Sequence, residues 1–561
     1  MMHPRYRRRG GIGRRGGIGL IAASILSTVS FALAAPASSS SSTVSFALAA
    51  PASSSSCTNG TLVRTDQGPV CGLVGANYRQ WLGVPYAAPP VGQLRWRPPQ
   101  PHAPWSAPLQ AVASGSACPQ LGATSPSTNE DCLYANVTVP TNAGSGPLAV
   151  LVYIHGGGFQ AGATYLYPEN QLATQGRVIV VGIQYRLGVL GFLAHKALGR
   201  HSGDYGLQDQ QAAFAWVHRN IAAFGGDPGN VTIMGTSAGG SSVCDHIASP
   251  TAAGLFQKGI SISGEYNSLL GAPTRLQPQD CKATLPTESQ ADAAGAAFAA
   301  RVGCQHASDV AACLRAVPVR TLLATPGGTN SPIINGTTLT EQLSQAFKTG
   351  AVNHVSTIMG VNRDENLTGT ANTPAEYQAL IKTQYGAAAD QVLARYPLER
   401  FPSPFVAYRT VAADSNTVCP ALVRDRRLSH VIPVYAYEGD NADMPLSRSA
   451  NPAEPNGSYH DWEPGFLFPG NLAFGITTNL DANQQVLADQ IIAEFSAFAR
   501  TGNPTTAGSP VWPRFTPGSQ EVMSLQPAGD SELRSARAIS LDHNCAFWDR
   551  LAGQAAIQSR D

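Results

Sequence analysis

Two glycine-framed segments carry the residues that could do chemistry. One is Gly235-Thr236-Ser237-Ala238-Gly239, which follows the apolar run Val231-Thr232-Ile233-Met234. A serine on a cramped strand-to-helix turn presents its hydroxyl above the end of a sheet, and glycines are needed where side chains would strike the adjoining strand and helix. In a chain with 56 glycines the pattern alone arises easily by chance, so the apolar run before it and the small residues after it carry the weight. The other segment is His155-Gly156-Gly157-Gly158-Phe159, directly after the run Leu148–Ile154. Three glycines after a buried strand let backbone N–H groups approach a substrate oxygen with no Cβ in the way. A serine nucleophile with such a cradle upstream is equipment for acyl transfer: the hydroxyl attacks a carbonyl, and the N–H groups hold the oxyanion. The rival reading is a pair of plain glycine turns; the order of the segments, loop before serine, argues against it.

These residues need a scaffold, and the chain predicts one. Runs apolar on both faces recur at 148–154, 178–183, 231–234, 259–263, 355–359 and 431–437. Such runs suit strands of a sheet covered by helices. Between them, 209–221 carries Ala213, Trp216, Val217 and Ile221 as a helical stripe. The alternation predicts a mostly parallel α/β sheet, with the chemistry just beyond the carboxyl ends of its strands.

With 561 residues, 43 % hydrophobic and 13 % charged, the chain can bury a large core. Its formal charge is +1, yet six arginines fall within the first fifteen residues and the remainder is mildly acidic, which gives no footprint for nucleic acid. That basic start, an apolar run over 18–33 and Ala32-Leu33-Ala34 read as an export signal over 1–34. Arg14-Arg15 raises twin-arginine export, although glycines follow the pair. The run is short for a membrane anchor, so no stable anchor is expected. Ser27–Ser41 repeats unchanged as Ser42–Ser56, which offers an alternative cleavage site near 49 and makes 35–56 a Ser/Ala/Pro-rich linker. Ten cysteines fit an oxidising compartment, and spacing suggests local loops Cys57–Cys71, Cys118–Cys132 and Cys304–Cys313. No C-x-x-C occurs, and no metal or organic cofactor is expected. Six N-x-S/T sequons occur, including Asn59, Asn335 and Asn456.

Further motifs extend over most of the chain. Trp81-Leu82-Gly83-Val84-Pro85-Tyr86 with Leu94-Arg95-Trp96, Glu130-Asp131-Cys132-Leu133-Tyr134-Ala135-Asn136, Phe224-Gly225-Gly226-Asp227-Pro228 before Ser237, and Gly502-Asn503-Pro504 together resemble the type-B carboxylesterase/lipase family, the α/β-hydrolases that include cholinesterases and p-nitrobenzyl esterases. The resemblance implies an α/β-hydrolase fold, one catalytic domain over 57–561, and a triad in the chain order nucleophile, acid, histidine. By position Glu365, in Gly360-Val361-Asn362-Arg363-Asp364-Glu365-Asn366, is the acid, with Asn366 replacing the family's usual glycine. His460, in Gly457-Ser458-Tyr459-His460, is the histidine. Structural roles are expected for His246, His306, His354, His430 and His543. Gly157, Gly158 and Ala238 are the implied oxyanion donors. The resemblance also implies ion pairs Arg95–Glu130 and Arg186–Asp209, Ser263 near the acid, and disulfides Cys118–Cys132, Cys304–Cys313 and Cys419–Cys545. Cys57–Cys71 and Cys244–Cys281 remain by arithmetic, and their connectivity stays open.

Departures bear on the substrate. Cholinesterases carry glutamate before the serine, where this chain has Thr236, and an aromatic residue in the loop corresponding to Cys118–Cys132, where this chain has none. A quaternary ammonium wants an aromatic face and negative charge, so choline esters are disfavoured. The expected partner is a small-molecule or lipid-like carboxylic ester. The alternatives are a lipase or polyesterase and, more remotely, a non-catalytic neuroligin-like adhesion module. The residues carry no sign of oligomeric state.

Overall fold

The computed structural model describes residues 57–558 except 59, 123–124, 265–280, 282–283, 366–369, 442–456, 461, 469 and 471–478. The expected leader and linker, Asn59, Asn366 and Asn456 lie outside the described residues.

Among the described residues, a small sheet joins β1 (Leu62–Arg64), β2 (Pro69–Cys71) and β5 (Leu109–Gln110). The large sheet has eleven strands: β3 (Leu73–Val74), β4 (Tyr78–Pro85), β6 (Tyr134–Pro140), β7 (Leu148–Ile154), β8 (Ile179–Ile183), β9 (Gly226–Thr236), β10 (Lys258–Ile262), β11 (Ser356–Asn362), β12 (Val434–Gly439), β13 (Glu521–Leu525) and β14 (Glu532–Ser535). Across the sheet they stand in the order β14-β13-β12-β11-β10-β9-β7-β8-β6-β4-β3. From β13 to β8 all neighbours run parallel, while β14 at one edge and β6, β4 and β3 at the other pair antiparallel.

The apolar runs become central strands because both faces are covered. Along β7, Ala149, Leu151 and Tyr153 belong to one core cluster and Val150, Val152 and Ile154 to another. This is the period-2 alternation of a strand sandwiched between two helical layers. The helix Tyr205–Asn220 delivers Phe214 and Trp216 to the core on one side. The helix Ala482–Thr501 delivers Leu487, Ile491, Phe495 and Phe498 to the other.

Several boundaries differ from expectation: the strand expected over 231–234 spans Gly226–Thr236, the one over 355–359 spans Ser356–Asn362, and two further shifts show their cause. The helix expected from Asp209 begins at Tyr205, since Gln208 N–H already donates to the Asp204 carbonyl at 2.9 Å. The strand expected from Val431 begins at Val434. Ile432 N–H still donates to the Leu428 carbonyl (2.8 Å), closing the preceding helix, and Pro433 has no N–H for a ladder.

All ten cysteines pair, as Cys57–Cys71, Cys118–Cys132, Cys244–Cys281, Cys304–Cys313 and Cys419–Cys545. The sequon residue Asn335 is fully buried, its Oδ1 accepting from the Thr337 and Thr338 N–H groups at 3.0 and 2.8 Å, so the folded chain offers no access to it. Among the described residues no helix is long and apolar enough to cross a membrane.

Candidate active site

Five adjacent parallel strands, β7, β9, β10, β11 and β12, bring their carboxyl ends side by side, and the chemistry-bearing residues follow these ends. Ser237 comes directly after β9 and just before the helix Ala238–Ala248. Its backbone has φ 61° and ψ −124°, a sparsely populated region for a residue with a side chain. The turn survives because its neighbours are glycines. A Cβ on Gly239 would lie 2.0 Å from the Ile154 carbonyl oxygen, and one on Gly235 would lie 2.3 Å from the Gly239 carbonyl. Ser237 N–H donates to the Ile262 carbonyl at 2.9 Å, fastening the turn to the end of β10.

The structure brings Ser237, His460 and Glu365 together. His460 Nε2 lies 2.9 Å from Ser237 Oγ, and His460 Nδ1 is hydrogen-bonded to Glu365 Oε1. Glu365 is 1 % exposed and follows the end of β11; its Oε2 accepts the Asn362 N–H at 2.9 Å, so both carboxylate oxygens are engaged. Beside the serine, the loop after β7 holds Gly157 at φ 113° and Gly158 at φ 64°. At Gly157 an added Cβ would lie 2.0 Å from the Ala161 carbonyl oxygen, which leaves room for glycine alone. Among the described residues, the loop and turn hydrogen bonds include none donated by the N–H groups of Gly157, Gly158 or Ala238. His155, at the start of this loop, stacks on Tyr185 with ring centroids 4.5 Å apart. Burial pushes its pKa down to about 4, so it is neutral at ordinary pH.

Several residues here went unread in the sequence. Asn362 spans the site: its Nδ2 reaches Ser263 Oγ (3.0 Å), the Tyr459 carbonyl (3.2 Å) and Glu463 Oε2 (3.1 Å), while its Oδ1 accepts Trp462 Nε1–H at 2.6 Å. Ser263 therefore meets the acid's neighbour Asn362. Glu463 is fully buried and accepts Tyr437 O–H at 2.9 Å. Burial, and then the charge of Glu365, push its pKa up to about 8, so it is a neutral acid at pH 7. Asp364 ties the acid turn to the histidine turn: its Oδ2 accepts Ser458 N–H at 2.9 Å, its own N–H donates to the Ser458 carbonyl at 3.0 Å, and Arg409 pairs with it at 3.3 Å. The only local signal for these residues was their closeness in sequence to Glu365 and His460.

Farther out, Arg95 grips Glu130 through two bonds of 2.7 and 2.5 Å, and Arg186 grips Asp209 through two of 2.7 Å. Among the described residues no cluster of three His, Cys, Asp or Glu side chains could hold a metal ion.

The sequence pattern of the Carboxylesterase family matches residues 59–548. The chain is 33 % identical to a para-nitrobenzyl esterase of Bacillus subtilis (strain 168) over 498 residues, covering 84 % of this chain and 95 % of that protein. It is 32 % identical to a fumonisin B1 esterase of Sphingopyxis macrogoltabida over 488 residues, covering 81 % of this chain and 84 % of that protein. An eleven-stranded sheet between helical layers, matched over nearly the whole chain by this family, identifies an α/β-hydrolase that belongs to the carboxylesterase family and hydrolyses carboxylic esters.

Proposed function

We propose that the chain is an exported serine carboxylesterase working through an acyl-enzyme, with Ser237 as nucleophile, His460 as general base and Glu365 as the acid that orients it. One observation carries the reading: an unbroken hydrogen-bonded chain from Ser237 Oγ through His460 to Glu365, beside a glycine loop with free N–H groups. His460 Nε2 takes the hydroxyl proton as Oγ attacks the ester carbonyl. Glu365 fixes the tautomer with the proton on Nδ1 and stabilises the imidazolium. The N–H groups of Gly157, Gly158 and Ala238 hold the oxyanion, each such donor contributing about 3 kcal/mol in the transition state. His460 then protonates the leaving alcohol, and water deacylates the serine by the same route.

An organophosphonate should label the chain once, at Ser237, and Ser237→Ala should take up none. A folded wild-type chain that stays unlabelled overturns the assignment.

A small neutral or anionic ester is the favoured substrate, since Thr236 and the loop between Cys118 and Cys132 supply neither carboxylate nor aromatic ring at the positions a choline ester would need. The names of the two relatives support small organic esters. Activity on p-nitrophenyl esters should peak at short acyl chains; a peak at long chains would favour the lipase or polyesterase reading. Export through residues 1–34, followed by a linker over 35–56 and one catalytic domain over 57–561, is supported by the basic, apolar leader pattern and by five disulfides.

A further inference from the structure

A cavity of about 290 Å³ opens away from the triad and the glycine loop and shares no residue with either. That is space for about ten water molecules. Three arginines from three separate segments line it: Arg97, after the turn Gly92–Leu94; Arg200, after the turn Lys196–Leu198; and Arg315, on the helix Val310–Ala316. No Asp or Glu lines it. Among the described residues none of the three guanidiniums forms an ion pair; Arg97 Nε donates to the Gln93 carbonyl at 2.9 Å and Arg315 Nε to the Arg95 carbonyl at 3.1 Å, which leaves their outer nitrogens unused. Two buried polar atoms of the lining keep hydrogen-bonding capacity to spare as well, although the Gly203 backbone lies close to the Tyr205 oxygen. The Tyr205 hydroxyl, on a residue 2 % exposed, finds no acceptor for its proton, and Gln208 Oε1 finds no donor.

We propose that this cavity binds a small polyanion bearing two or three carboxylate or phosphate groups. Burial first, and then repulsion by the neighbouring charge of Arg97, add to the cost of holding Arg315 charged, and Asp309, which does not line the cavity, offsets only part of it. An oxyanion removes that repulsion and gives the planar forks the bidentate acceptors they suit. Guanidiniums on three chain segments, in a space larger than one phosphate, call for oxyanion groups at more than one point of the ligand. Tyr205 O–H supplies a further donor, and a hydroxyl or protonated oxygen on the ligand satisfies Gln208. The framework is set in advance: Arg95 Nη1 donates to the Arg315 and Val317 carbonyls at 2.9 and 2.8 Å, locking the helix that bears Arg315 to the segment that bears Arg97.

Isothermal titration of the full chain with citrate and with pyrophosphate, using acetate at matched ionic strength as the control, tests the site. One equivalent of citrate or pyrophosphate should bind and acetate should not; the tighter of the two names the preferred head group. Arg97→Gln/Arg315→Gln should weaken binding about tenfold or more, and Tyr205→Phe several-fold. Enzyme phosphonylated at Ser237 should bind as tightly as the free enzyme. Equal heats with acetate, an unchanged affinity in the double variant, or loss of binding on phosphonylation each overturns the site. Should circular dichroism show the double variant unfolded, the exposed Arg200→Gln decides: weaker binding upholds the site and unchanged binding removes it.

Discussion

At the residue scale, two buried acids lie behind one histidine, and one of them, Glu463, is held neutral at pH 7. Glu365 uses both oxygens as acceptors, whereas Glu463 is held neutral by burial and by the charge of Glu365, with Asn362 donating to both. This division leaves a single negative charge behind His460, which suits an imidazole that must be neutral before attack and cationic during it. Two pH effects follow for kcat/KM. Only neutral imidazole can take the Ser237 proton, so activity should fall on the acid side along a single limb; His155, held neutral down to about pH 4, adds none above that. On the alkaline side, ionisation of Glu463 near pH 8 puts a second charge beside the pair, favours the imidazolium and lowers the rate. Glu463→Gln should keep activity within several-fold of wild type and remove the alkaline inflection. A profile from pH 5 to 10 with the same inflection in both proteins would exclude Glu463 as its source.

At the element scale, a buried imidazolium joins the C-terminal region to the sheet. His543 bonds Asp414 at 2.6 Å, in the π-helical turn Asp414–Val418, and Glu438 at 2.9 Å, on β12. Tyr396 donates to the far oxygen of Asp414 at 2.6 Å and accepts Trp548 Nε1–H at 2.8 Å. Burial works against the charge on His543, but Asp414 and then Glu438 outweigh it and hold its pKa up at about 10. A histidine raised in the folded state contributes stability that is fully present below its unfolded value of about 6.5 and is lost as pH rises through the folded value. Urea unfolding should therefore show wild type losing on the order of a few kcal/mol between about pH 6.5 and 10, and His543→Gln losing much less over that window. Parallel losses in the two proteins would show that the imidazolium is not held. The sequence assigned His543 only a structural role, because its partners lie 129 and 105 residues away and no local pattern joins them. Asn362 and Glu463, 101 residues apart, were hidden for the same reason. Strand β7 and the glycines around Ser237 were legible, since apolar periodicity and steric need are written within a few neighbouring residues. Glu365 and His460 fell between the two cases, for it was the resemblance to a family that singled them out.

At the scale of the whole molecule, the disulfides divide into short clips and one long-range strap. Cys304–Cys313 closes a separation of 9 residues and Cys118–Cys132 one of 14, whereas Cys419–Cys545 closes 126. The strap lies beside the His543 bridge, between the helix Cys419–Leu428 and the helix that starts at Cys545, so covalent and electrostatic ties secure the same end of the chain. A cross-link stabilises mainly by removing conformations from the unfolded chain, and the effect grows with the logarithm of the loop. The expected contributions are about 5 kcal/mol for the strap and about 2.5 kcal/mol for the shortest clip. Removing the strap as Cys419→Ala/Cys545→Ala should therefore cost about twice as much in urea unfolding as Cys304→Ala/Cys313→Ala. At pH 10 the gap between wild type and the strapless variant should persist while the His543 contribution fades, because the disulfide does not titrate. Equal costs for the two double variants would mean that the unfolded chain keeps its C-terminal region close to Cys419 without the bond, and the loop-entropy account of the strap would fail.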